Sequence, residues 1–201
     1  MTAKTPIAQE RSAPLLNVAN ALTVLRLILV PVFIWLMLQS GEPVRLGATV
    51  VFIVAAITDK LDGQLARSLG LITSFGKIAD PIADKALTLS AFVLLSLDGH
   101  LWWWVTITII VRELGITVLR FFMLRRAVMA ASRGGKLKTV LQMTGIIGLL
   151  VPWALFLPEP AVAVLMMIAY AAIGAALVVT VVTGVDYVLQ ARRIARTKET
   201  A

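Results

Sequence analysis

With 201 residues, 59% of them apolar and only 15% charged, and a mean hydropathy of +0.91, the chain exceeds the apolar content of ordinary soluble domains and reads as an integral membrane protein. Its net charge of +8 suits a surface facing anionic headgroups, so membrane lipids are expected partners and nucleic acid is not. The absence of cysteine excludes disulfides, thiolate metal sites and cysteine nucleophiles.

Segment 1–21 is largely polar and reads as a cytoplasmic or interfacial lead. Asn20 fits an N-cap, with Thr23 three positions on, at the start of the first apolar run, 22–39. That run has no small-residue cleavage site after it and is expected to stay as an anchor. Ser40-Gly41-Glu42-Pro43 breaks it from a second run, 46–69. A third run, 78–97, precedes His100, which reads as a solvated loop residue. The fourth, 102–124, opens on Trp102, Trp103 and Trp104, whose amphipathic rings suit an interfacial belt. The fifth and sixth, 137–157 and 162–189, are parted by Leu157-Pro158-Glu159-Pro160, and a basic tail follows at 191–201.

A helical span needs about 20 apolar residues, so these runs predict an all-α fold with six transmembrane helices in one domain, 22–190. With the N terminus inside, Lys4, Arg11, Arg26, Arg67, Lys77, Arg125, Arg126, Arg133, Lys136, Lys138 and the cluster from Arg192 to Lys198 all fall on one side. Only Arg45 falls on the other. The positive-inside rule therefore predicts cytoplasmic N and C termini.

Within this apolar chain stands Asp59-x-x-Asp62-Gly63-x-x-Ala66-Arg67, then eight residues, then Gly76-x-x-x-Asp80-x-x-x-Asp84. Each intramembrane carboxylate costs roughly 2.5–3.5 kcal/mol on insertion scales, so four together demand cations. At about 100° per residue, Asp59, Asp62, Gly63, Ala66 and Arg67 share an arc of roughly 140°, and Gly76, Asp80 and Asp84 share a face of the next helix. An all-oxygen donor set selects Mg²⁺, Mn²⁺ or Ca²⁺ over zinc or copper. Gly63, Ala66 and Gly76 fit ordinary close packing of membrane helices, and beside the aspartates they also leave room for a phosphate-bearing group. Arg67 is a positive-inside residue that could also meet a phosphate oxygen.

The complete spacing resembles the signature of the CDP-alcohol phosphotransferase family, with all eight positions present. The resemblance implies a six-helix membrane fold, usually dimeric, with a two-metal site open to the cytoplasm and CMP as leaving group. It implies metal binding by Asp59, Asp62 and Asp80, with Asp84 a further metal ligand and the general base. Two Mg²⁺ or Mn²⁺ ions are the expected cofactors. It places Gly63, Ala66, Arg67 and Gly76 against the CMP moiety, and makes Asn20 and Thr23 contributors to that pocket.

The signature reads the CDP half of the reaction and is silent on the acceptor alcohol. The segments Asn17-x-x-Asn20-x-Leu22-Thr23-x-x-Arg26, Asp80-Pro81-x-Ala83-Asp84-Lys85, Arg112-Glu113 and Gly135-Lys136-Leu137-Lys138-Thr139-x-x-Gln142 resemble the bacterial branch that joins CDP-diacylglycerol to glycerol-3-phosphate. That implies a homodimeric enzyme of the bacterial cytoplasmic (inner) membrane. A doubly charged acceptor needs cations beyond those that hold CDP, and Arg112, Arg120, Lys136 and Lys138 are the candidates. Lys136 and Lys138 fit headgroup contact equally well. Asp186 and Tyr187 could line the acceptor entrance, Tyr187 reading first as an interfacial aromatic. An inositol phosphate acceptor is the alternative within the family. A divalent-cation transporter would also carry intramembrane aspartates, but here they cluster toward the inner helix ends beside Arg67 and Lys77, which would repel a permeating cation.

Overall fold

The structure is a computed structural model and describes residues 18–68, 74–123 and 133–197. Among them are six α-helices: α1 (Val18–Met37), α2 (Glu42–Ser68), α3 (Ser74–Leu97), α4 (Trp103–Met123), α5 (Arg133–Leu150) and α6 (Glu159–Thr197). A single 3₁₀ turn, Trp153–Leu155, lies between the last two, and no strand occurs among the described residues.

Several helices begin before their apolar runs do. Pro43 stands in the first turn of α2, where its missing N–H loses nothing, and Gly41 supplies the preceding bend at φ +115°. α1 starts at Val18, so Asn20 is inside its first turn and is not the predicted N-cap; its side chain is buried. α5 stops at Leu150 because Pro152 cannot continue the ladder, although the apolar run goes on to Leu157. α6 continues through the basic tail to Thr197, since Gln190, Ala191, Arg192 and Arg193 are good helix formers whatever their polarity.

Two of these helices carry stretches long and apolar enough to cross a membrane, Asn20–Met37 and Glu159–Tyr187, among the described residues. In α3 and α5 the described apolar stretches are shorter, Lys85–Leu97 and Leu137–Leu150. Large apolar side chains also face outward on α2 and α4. Val50, Val54, Ile57 and Leu61 form such a stripe on α2, and Ile107, Val111, Leu114 and Val118 form one on α4. Exposed apolar stripes of this length call for lipid or protein cover. Trp35, Trp102, Trp103 and Trp104 are also exposed, and all lie near the α1–α2 or α3–α4 joins, as an interfacial belt requires.

The described residues form two compact units, one drawn from residues up to Phe33 with Val50–Thr88, the other from Ile34–Thr49 with residues from Leu89 onward. In the first, Phe33 of α1 packs on Phe52 of α2 with ring centroids 5.4 Å apart, over a core that includes Val30, Ala55 and Leu87. In the second, α5 lies very close to α6. A Cβ at Gly145 would stand 2.5 Å from Ile173 Cδ1, and one at Gly148 would stand 2.7 Å from Ala169 Cβ. Small residues let membrane helices approach until dispersion holds them. Gly148→Val is therefore expected to lower stability by about 1–3 kcal/mol through overpacking, read as a fall in the melting temperature of the detergent-solubilised protein.

Arg45, the one basic residue on the outer side of the predicted topology, is committed to structure. Its Nε donates to Leu150 O at 3.0 Å and its Nη2 to Leu149 O at 2.9 Å, and Nη1 pairs with Asp98 Oδ2. It thereby caps the C terminus of α5 and ties it to the ends of α2 and α3. His100 Nδ1 stands 3.1 Å from the same Asp98 oxygen, in the turn that Gly99 opens at φ +75°. His100 is thus a partly exposed turn residue of this network.

Candidate active site

The polar stripe of α1 belongs to the first unit. Asn20, Thr23 and Arg26 recur every three residues, so they share one face, and all three are buried. Arg26 Nη1 contacts Asp59 Oδ1 at 2.8 Å, with the Arg26 side chain 0% exposed and that of Asp59 34% exposed. Arg26 is therefore not the headgroup-facing anchor that charge counting suggests. A buried guanidinium is costly without a counter-charge, and Asp59 supplies one. Thr58, next to Asp59, is buried and donates to Ala55 O at 2.8 Å, which turns its hydroxyl back on its own helix.

Asp59 is thus partly accessible and already faces one cation. A carboxylate offers about four lone-pair sites, so a guanidinium on one oxygen is compatible with a metal ion on the same group. The backbone is helical through Asp59 and Asp62 in α2 and through Gly76, Asp80 and Asp84 in α3, the periodicity on which the predicted face-sharing rests. The side chains of Asp62, Gly63, Ala66, Arg67, Gly76, Asp80 and Asp84 lie outside the described residues. Among the described residues no three carboxylate or imidazole groups gather around a point. The oxygen-only character of the predicted set, and the partial exposure of Asp59, fit a hard divalent cation.

The second unit holds a cluster of its own, built by α4, α5 and α6. Glu113 Oε1 accepts from Arg112 Nη1 at 2.8 Å and also pairs with Lys138 Nζ. The remaining nitrogens of Arg112 reach α6, Nε donating to Thr180 O at 3.1 Å and Nη2 to Thr183 Oγ1 at 2.6 Å. Thr183 Oγ1 in turn donates to Val179 O at 2.7 Å, so its lone pairs are directed at the guanidinium. Gly184 packs beside it, and a Cβ there would crowd the arginine stem, 3.3 Å from Arg112 Cγ. An open, mainly apolar groove of about 660 Å³, lined by Val111, Gly115, Val181, Gly184 and Val185, runs between α4 and α6 beside the same arginine. One turn along α5 from Lys138, Gln142 is buried, and its Nε2 has no acceptor among the described residues.

Two of the four predicted acceptor cations, Arg112 and Lys138, are therefore brought to one carboxylate. The side chains of Arg120 and Lys136 lie outside the described residues. Sequence reasoning missed Thr180 and Thr183, whose spacing from Arg112 along the chain carries no local signal. It read Glu113 as an ion-pair partner of Arg112, which the structure bears out, but not as a partner of Lys138. Tyr187 is buried, contrary to a simple interfacial aromatic, and Asp186 beside it is exposed.

The aspartates of α2 and α3 and a separate cluster of two cations on one carboxylate are thus the main polar features of an otherwise apolar chain that is helical throughout its described elements. A sequence model of the CDP-alcohol phosphatidyltransferase family matches residues 16–194, and the chain belongs to that family. The family is membrane-embedded and uses divalent metal ions. The chain is 47% identical over 184 residues to a probable phosphatidylglycerophosphate synthase of Mycobacterium tuberculosis, covering 90% of this chain and 84% of that protein. It is 37% identical over 147 residues to the CDP-diacylglycerol–glycerol-3-phosphate 3-phosphatidyltransferase of Bacillus subtilis, and 40% identical over 140 residues to that of Escherichia coli K12. Each of those two alignments covers 67% of this chain and 76% of the relative.

Proposed function

We propose that this protein transfers the phosphatidyl group of CDP-diacylglycerol to glycerol-3-phosphate, forming phosphatidylglycerophosphate and releasing CMP. The observation that carries the reading is the 47% identity, over nine-tenths of the chain, to a relative named for that synthesis, in a chain that keeps all eight signature positions. The transfer commits the protein to phospholipid biosynthesis.

Asp59, Asp62, Asp80 and Asp84 would hold two Mg²⁺ or Mn²⁺ ions, which when bound would supply positive charge against the pyrophosphate and the leaving CMP. Gly63, Ala66 and Gly76 leave space for the nucleotide, and Arg67 meets one of its phosphate oxygens. Asn20 and Thr23 offer that pocket an amide and a hydroxyl from the buried face of α1. Asp84 takes the proton of the acceptor hydroxyl. The acceptor oxygen then bonds to the phosphorus that bears diacylglycerol, the bond from that phosphorus to CMP breaks, and CMP leaves in a single displacement. Arg112, Arg120, Lys136 and Lys138 bind the acceptor phosphate.

Six transmembrane spans with both termini in the cytoplasm, a site open to the cytoplasm, residence in the bacterial inner membrane and a homodimeric assembly complete the reading. The alternation of basic joins supports the orientation, and the family resemblance supports the dimer. The test is product identity. Radiolabelled glycerol-3-phosphate should enter the lipid-extractable fraction in a one-to-one ratio with CMP, and chelation of divalent metal should stop both. CMP release with no label in lipid would contradict the transfer.

A further inference from the structure

Glu113 stands where three helices meet, and the proposed chemistry gives it no role. Its oxygen Oε1 takes both Arg112 Nη1 and Lys138 Nζ, so two cations meet on one carboxylate oxygen. The group is poorly hydrated, with side-chain exposures of 14% for Arg112, 17% for Glu113 and 8% for Lys138. Without Glu113 the repulsion between two neighbouring cations would drive them apart, and Lys138 in particular has a flexible four-carbon stem that could follow many paths. Arg112 is already anchored to α6 through Thr180 and Thr183. Glu113 extends that anchor to Lys138 on α5, a residue 25 positions away.

We propose that Glu113 is the positioning residue of the acceptor subsite, its single oxygen fixing Lys138 against the braced Arg112 so that the pair offers a preset seat to a phosphate monoester. The inference rests on the acceptor-binding reading of Arg112 and Lys138 given above. It makes the subsite a rigid receptor, because the order of the two cations is established before the acceptor arrives.

The test uses the full chain in detergent or lipid nanodiscs, with CMP release measured while each substrate is varied in turn. Glu113→Gln keeps the shape and removes the charge, and it should raise KM for glycerol-3-phosphate about tenfold with KM for CDP-diacylglycerol and kcat changed less than about threefold. Glu113→Asp, which restores the charge on a shorter stem, should recover part of the loss. Lys138→Met should raise the same KM, and the double variant Lys138→Met/Glu113→Gln should be no worse than Lys138→Met alone. An unchanged KM for glycerol-3-phosphate in Glu113→Gln would overturn the inference, and so would additive effects in the double variant. Equal rises in both KM values, with Glu113→Asp no better than Glu113→Gln, would assign Glu113 to the fold and overturn it as well. If Lys138→Met itself leaves KM for glycerol-3-phosphate unchanged, the acceptor-site reading falls with it; if Lys138→Met raises KM and Glu113→Gln does not, only the role of Glu113 falls.

Discussion

Asp80→Ala should abolish CMP release and lose divalent-metal binding, whereas Asp84→Asn should keep metal binding and lose rate by on the order of 10²–10⁴. The contrast follows from what each carboxylate does in the proposed mechanism. Asp59→Ala and Asp62→Ala belong with Asp80→Ala, because removing a ligand leaves the pyrophosphate charge unneutralised at the moment CMP departs. An asparagine at position 84 still offers a carbonyl oxygen to a cation but cannot accept a proton from the acceptor hydroxyl. Metal titration and turnover on the same preparations check both halves. An affinity loss in Asp84→Asn as large as that in Asp80→Ala would make Asp84 a metal ligand first and a base second. Asp59→Ala carries an additional expectation: it leaves Arg26 buried without the partner it holds at 2.8 Å, so this variant should also unfold at lower temperature than Asp62→Ala.

Lys138→Ala should raise KM for glycerol-3-phosphate roughly ten- to a hundredfold, the range expected for losing a charge-assisted hydrogen bond to an anion, with KM for CDP-diacylglycerol little changed. Arg112→Ala should raise the same constant and, unlike Lys138→Ala, should also loosen α4 from α6, since it removes two hydrogen bonds to α6, at Thr180 and Thr183. Steady-state kinetics with each substrate varied, beside thermal unfolding, separate the two effects. Equal rises in both KM values would remove these residues from the acceptor subsite.

The helices themselves were legible because uninterrupted apolar runs leave few other options in a bilayer. Their ends were less so. α2 and α5 start among polar residues, such as Glu42 and Arg133, that a hydropathy pattern assigns to joins. α6 persists into the tail because helix propensity does not depend on apolarity. The aspartate signature was readable from spacing alone, since i, i+3 and i, i+4 repeats fix which residues share a helical face.

Partners distant in the chain were not readable. Arg26 and Arg45 entered the sequence reading as equal units of positive charge, yet one is buried on Asp59 and the other caps α5 and pairs with Asp98. The positive-inside rule counts charges near helix ends and carries no information on what neutralises them. Glu113, adjacent to Arg112 in sequence, was visible as an ion-pair partner. Its bond to Lys138 and the grip of α6 on Arg112 required the packing of three helices.

The measurement closest to the central claim is an acceptor panel on the purified protein, with CDP-diacylglycerol, Mg²⁺ and CMP release as the readout. Glycerol-3-phosphate should drive CMP release well above every other acceptor tested, with phosphatidylglycerophosphate as the lipid product. A rate no faster with glycerol-3-phosphate than with inositol phosphate, serine or phosphatidylglycerol would contradict the account.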